Sequence, residues 1–365
     1  MDIKYYFKLY TKDHEFIDEL YIFSAIEYTK TLNGIGNMTF NIPINYLSQK
    51  EIELCLGQHI ELYMIKDHKE QLLWYGVVNS PAPSQNDINC TCLGYASLLQ
   101  NRNFTYIELD SENEWKKTYY SKHYGDLIFT LINEINKIYP TGIYPNSNQD
   151  TNLVTDRVIN WNDDLYEKIQ EFIEDSNCYF TIDENRRFNF YKSLGENKNY
   201  YEITDYNILG NWDYTIDQTQ IYNVINSRIF FEETIEGQDE PVQTILTSHA
   251  EDINSINMYG RREKVCDSSS DIKLQETLDA QVSEELETYK DPLVSCNVKV
   301  GIYDVFNIFD IEPGDYITLN SIEKQINQSI RVLEYTVNLT ANTVSISLGN
   351  SIFREVMPKI YRYKR

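Results

Sequence analysis

Gly314-Asp315-Tyr316-Ile317-Thr318-Leu319 follows a proline turn (Glu312-Pro313) and opens an alternating run. Gly57-Gln58-His59-Ile60-Glu61-Leu62 does the same 257 positions earlier. The neighbourhoods of the two stretches also correspond. Phe40-Asn41-Ile42 falls opposite Asn297-Val298-Lys299, Tyr46 opposite Tyr303, and Trp74 to Val78 opposite Arg331 to Tyr335. Cys90-Thr91-Cys92-Leu93-Gly94 then meets Ser345-Ile346-Ser347-Leu348-Gly349 at an offset of 255, which a two-residue change in loop length accounts for. Turn, strand, gap and strand recur in one order, so the sequence reads as a β unit present twice, with Gly57, Gly94, Gly314 and Gly349 as structural turns.

The 365 residues suffice for several domains, and 42% of them are apolar. Tyrosine contributes 30 residues and suits half-buried strands and wet interfaces. Fifty-six acidic residues against 32 basic ones give a net charge of −24. That balance argues against general nucleic-acid binding, which needs clustered Lys and Arg. The cysteines at 55, 90, 92, 178, 266 and 296 show no metal-ligand spacing and read as reduced thiols. The N-terminus lacks an apolar signal core, and no 18-residue apolar run exists, so no membrane segment is expected and the chain reads as a soluble protein.

Residues 1–100 read as a first β domain, a small barrel or sandwich of short strands separated by turns, with Asn33-Gly34-Ile35-Gly36-Asn37 as a hairpin tip and 46–56 as a short helix or a loop. Residues 101–205 read as a compact α+β insert. Asp126 can cap a helix carrying Leu127, Leu131 and Ile135, and Asp163 or Asp164 a second with Leu165, Ile169 and Phe172. Residues 206–353 read as a return to β and a second β unit, interrupted by a helix at 271–289, which Ser270 or Asp271 can cap and Asp291-Pro292 ends. Residues 354–365 form a basic tail, either a loose end or a segment that docks on an acidic partner. The expected fold class is mainly β with an α+β insert and an internally duplicated β unit.

Catalytic constellations do not stand out. The histidines at 14, 59, 68, 123 and 249 form no metal motif, and there is neither a nucleophile elbow nor a phosphate loop. Carboxylate neighbours such as Asp163-Asp164 and Glu284-Glu285 are expected by chance in so acidic a chain, so no catalytic residue, cofactor or metal is assigned. Tyr259-Gly260-Arg261-Arg262-Glu263 has two readings: Arg261 and Arg262 clamp carboxylates of a neighbouring subunit, or the run is a solvated turn.

The order of these pieces resembles the baseplate hub and tail-tip proteins of tailed bacteriophages. The N-terminal unit with Gly34-Ile35-Gly36-Asn37 and Phe40-Asn41-Ile42-Pro43, the Tyr259 to Glu263 run before a helix, and the Pro313-Gly314-Asp315-Tyr316-Ile317 turn with its closing hairpin carry the resemblance. It implies that residues 1–100 and 206–353 are two tube-like β-barrel domains with 101–205 as a peripheral insert, and a homotrimer in which the two domains per chain make a pseudo-hexameric ring. It further implies a place at the distal end of a virion tail after assembly in the host cytoplasm. The implied partners are the distal tail protein or tail tube, the tape measure protein, and a central spike or receptor-binding proteins. DNA would pass the channel without specific binding. The chain lacks the long C-terminal region of some relatives, which makes wall cleavage doubtful. Two rivals are a carbohydrate- or receptor-binding module using Trp74, Trp115, Trp161 or Trp212, each of which also suits core packing, and a cell-wall hydrolase.

Overall fold

The computed structural model describes residues 3–350 apart from 110–113, 150–153, 234–241, 267–271, 273 and 303–306. Tyr303, Ser270, Asp271 and the basic tail therefore lie outside the described residues. The chain opens with β1 (Ile3–Tyr10), β2 (Phe16–Leu20), β3 (Ser24–Thr31), β4 (Asn37–Pro43), α1 (Ile44–Gln49), β5 (His59–Lys66), β6 (Lys69–Pro83) and β7 (Asp87–Leu93). Alternation dictates these strands: Met38, Phe40 and Ile42 of β4 are buried while the residues between them face outward.

Next come β8 (Lys116–His123), α2 (Tyr124–Ile138), β9 (Tyr144–Asn148), β10 (Val154–Asn160), α3 (Leu165–Ser176), β11 (Tyr179–Ile182) and β12 (Arg187–Tyr191). Asp164 caps α3, accepting from the amides of Tyr166 and Glu167. Asp126 does not cap α2: that helix starts at Tyr124, and the Asp126 carboxylate instead accepts from Asn148 Nδ2 at 2.7 Å. Leu127, Leu131, Ile135, Ile169 and Phe172 join Phe188 and Phe190 in a core of their own.

The last part holds β13 (Asn197–Thr204), β14 (Asp213–Asp217), β15 (Val224–Glu233), β16 (Val242–Glu251), α4 (Ile253–Tyr259), β17 (Glu263–Val265), α5 (Gln275–Tyr289), β18 (Leu293–Gly301), β19 (Tyr316–Ser321), β20 (Ile326–Asn338) and β21 (Thr343–Gly349). Helix α5 begins four residues later than the sequence predicts, and Leu274 just before it is exposed. Leu278, Val282 and Leu286 pack on Ile225 and Ile229 of the separate sheet β16-β15-β17, a third core within the range read as one barrel. Strand β13, within the range read as insert, pairs with β19 of the main sheet.

The fold is mainly β. Its main sheet runs β14-β18-β21-β20-β3-β4-β7-β6-β5-β1-β2, with β13 and β19 branching beside β20. Two matching series lie within it: β3-β4-β7-β6-β5-β1 and β14-β18-β21-β20-β19-β13. Every neighbour pair in the two series is antiparallel except β13-β19, which is parallel where β1-β5 is antiparallel. The expectation of closed barrels needs correction: the described strands form an open path. Closing the first unit would require β3 to pair with β1 or β2, but the outer side of β3 is taken by β20. One apolar core, from Phe7 to Leu348, runs under both units.

Candidate functional site: the paired corners and the seam between the β units

The two glycine corners repeat bond for bond. Gly57 N donates to Val78 O and Val78 N to Gln58 O, both at 2.8 Å; Gly314 N donates to Val332 O at 2.7 Å and Val332 N to Asp315 O at 2.8 Å. In each turn the side chain after the glycine accepts from the amide three residues back. Gln58 Oε1 takes Cys55 N at 2.7 Å, and Asp315 Oδ2 takes Glu312 N at 2.9 Å. Both glycines have positive φ, 83° and 108°, a region costly for side chains bearing Cβ.

Bulges then fix the alignment. The ladder shifts between Val78 and Ser80 in β6, and between Val332 and Glu334 in β20. Val78 is thus the counterpart of Val332, Leu93 of Gly349, and Phe40 of Val298. The sequence alignment placed these strands one to three residues away, because alternating strands look alike when slid. Gly94 and Gly349 are accordingly not equivalent: Gly94 lies one residue past its strand and donates to Gly36 O at 2.7 Å, whereas Gly349 ends β21.

The corners differ in their fillings. In the first, His59 sits buried between Lys12 O at 3.1 Å and Tyr95 Oη at 3.3 Å, and burial pushes its imidazole down to about 4. In the second, Arg331 is buried. Its Nε donates to Gly314 O at 2.9 Å and Nη2 to Leu194 O at 2.5 Å, with its guanidinium over the Tyr179 ring. Asp315 Oδ1 accepts from Glu196 N at 2.7 Å, and Oδ2 pairs with Lys198 at 2.8 Å.

Between the units lies the seam, where Glu334–Asn338 of β20 pair antiparallel with Thr31–Glu27 of β3. Leu32 N donates to Leu333 O at 2.9 Å and Leu339 N to Ile26 O at 3.0 Å. Side chains clasp above the ladder: Thr29 with Thr336 at 2.8 Å, Thr31 with Glu334 at 2.8 Å, Asn338 with Glu27 at 2.8 Å, and Lys30 with Glu312 at 2.6 Å. The loop after β3 then plugs into the insert. Asn33 takes Phe180 N at 2.9 Å, gives to Cys178 O at 3.0 Å, and its carbonyl accepts from Gln170 at 2.8 Å. The cleft there, about 740 Å³, is lined by Lys30, Asp183, Glu184, Glu196, Lys198 and Glu312 among others, with no histidine or cysteine.

Arg261 and Arg262 are not brought together as one clamp. Arg261 pairs with Glu263 at 2.7 Å and Glu251 at 3.1 Å at the surface, while Arg262 Nη1 donates to Gln218 O at 2.5 Å. Trp74 is buried and donates to Thr29 O at 3.3 Å, Trp212 is half-buried, and Trp115 and Trp161 are exposed neighbours. Among the described residues no cluster of His, Cys, Asp and Glu is arranged to hold a metal, and no helix is long and apolar enough to cross a membrane.

The overall fold is shared with solved proteins. The prophage tail protein gp18 from Listeria monocytogenes superposes with a TM-score of 0.59 at 12% identity, over 95% of this chain and 94% of that one. The chain has the fold of phage tail proteins. The prophage MuSo2 43 kDa tail protein from Shewanella oneidensis gives 0.60 at 10% identity, covering 94% and 98% of the two chains. A tail protein from Neisseria meningitidis gives 0.56 at 11% identity, covering 95% and 97%. No protein-family model matches the sequence, and no curated protein matches it. The tail-protein fold thus spans nearly the whole of each chain, insert included.

Proposed function

We propose that the chain is a structural, non-enzymatic protein of a phage tail or a phage-derived injection device, and that it acts as a trimeric hub. The observation that carries this is the repeated corner-and-sheet unit, joined through the seam into one sheet within a tail-protein fold. Three chains with two such units each would set six similar units around an axis, matching a six-fold tube on one side and a three-fold tip on the other. In this reading residues 1–100 and 206–353, together with β13, supply the ring, and the rest of 101–205 its periphery. The channel is closed until the host is engaged and then opens for genome ejection.

Its neighbours would be the tail tube or distal tail protein, the tape measure protein and a central spike or receptor-binding protein, at the distal end of the virion tail. The excess of acids, −24 overall, suits a channel that DNA passes without sticking. Electron micrographs of purified protein should show rings of three chains. A monomer at high concentration would sink the trimeric reading. Clearing of host cell wall by pure protein would replace the structural reading with a hydrolytic one.

A further inference from the structure

From β3 to β5 and from β14 to β19 the two β units correspond strand for strand, but their outer edges are not equally occupied. Strand β20 is flanked on one side by β21 and on the other by β19 and then, beyond the corner, by β3. Strand β6 is flanked by β7 and by β5, and beyond the corner nothing described takes the place of β3. Residues 79–84 there are mostly exposed, while their counterparts 333–338 are covered by the seam.

The missing neighbour has a counterpart as well. Strand β14 occupies in the second unit the position β3 holds in the first. Through their partners on β18 and β4, Asp213, Tyr214 and Thr215 correspond to Glu27, Tyr28 and Thr29. The residues share their character, an acid followed by Tyr-Thr. The outer side of β14 has no strand partner among the described residues, and Ile216 on it is 52% exposed.

We propose that these two open edges are the two halves of one joint between copies of this chain. Strand β14 of one copy lies antiparallel along residues 79–84 of the next, repeating the internal seam. This rests on the ring reading above and specifies its contact. The internal register transfers directly. Glu334↔Thr31 becomes Ser80↔Asp217, and Thr336↔Thr29 becomes Ala82↔Thr215.

The joint is not a copy in one respect. At the internal seam the Leu333 carbonyl and Leu339 amide face β3, so by alternation the amides of Tyr335 and Val337 do too. Their counterparts on β6 are Pro81 and Pro83, which have no N–H. The joint between copies therefore keeps the bonds donated by β14 and loses two donated by β6. A ring built this way alternates full ladders inside chains with thinner ones between chains. It parts between chains, and the prolines discourage stray strands from pairing with the free monomer.

Ala82→Cys with Thr215→Cys tests the contact. The pair sits opposite at a position where Cα atoms of antiparallel strands come to about 4.5 Å, within disulfide reach. Mild oxidation should give covalent species closing at three chains, with each single variant as control. Trimers that fail to cross-link would overturn this contact and leave the ring reading intact. Monomers without cross-links would overturn both, and a ladder running past three would keep the contact but remove closure at three. Pro81→Val with Pro83→Val restores two donors and should slow subunit exchange roughly tenfold. Unchanged or faster exchange would show that these positions do not face a partner strand.

Discussion

Arg331 and His59 show how far equivalent corners can diverge at single residues. Arg331 fills its corner with two carbonyl bonds and a stacked ring, and its counterpart in the first unit is Val77. Arg331→Ala leaves the carbonyls of Gly314 and Leu194 without that donor and should cost about 2–4 kcal/mol in urea unfolding. Arg331→Lys should recover less than half, since a point charge cannot bond both carbonyls and stack. His59 corresponds to Tyr316 and is held neutral by burial, down to about 4. The unfolded chain takes up this proton near pH 6.5, so His59 makes the fold lose stability as pH falls from 6.5 through 4. His59→Gln should flatten the dependence of the urea midpoint in that window. The twin glycine turns were legible in the sequence because Gly57 and Gly314 each precede a strand. The strand phases were not, since they depend on the bulges beside Val78 and Val332, which leave no mark on hydrophobic periodicity.

Helices α3 and α5 announce themselves by apolar spacing, and α3 also by Asp164. The Asp164 carboxylate holds Tyr166 N at 3.0 Å and Arg102 N at 2.9 Å, tying the helix start to the incoming chain. Asp164→Ala should therefore cost about 1–2 kcal/mol, read as a lower melting temperature. Strands β8 and β13 were not legible. Lys116–His123 buries only Tyr119 and Asn197–Thr204 only Ile203, so neither shows the alternation of a half-buried strand. Helix α5 also carries a pH-sensitive group. Glu284 lies near Lys192 and Cys178 of the insert with Oε2 unbonded, and burial pushes its carboxyl up to about 7. The folded chain keeps this proton to higher pH than the unfolded one. Its stabilising effect is complete below about pH 4.5 and fades as pH rises through 7. Glu284→Gln should match the parent at pH 4 and exceed it at pH 8 by about 1–2 kcal/mol, allowing for solvent screening.

For the whole molecule, one sheet spans both units, so its amides should not exchange alike. Leu32 and Leu339, locked in the seam, should exchange with solvent only on global opening. Tyr214 and Ile216, on the edge with no strand partner among the described residues, should exchange fast at low protein concentration and slow as copies associate, measured by hydrogen–deuterium exchange across a dilution series. Fast exchange at Leu32 would mean that the units come apart within one chain. The seam also dictates when the protein can finish folding. Residues 27–31 must wait for 334–338, some 300 positions downstream, before their sheet edge is covered. On the ribosome the first unit emerges long before its cover is synthesised, with β3 bare and the β6 edge protected only by Pro81 and Pro83. A chain cut short before residue 326 would keep β3 bare permanently, and truncated products should aggregate where the full-length chain stays dispersed.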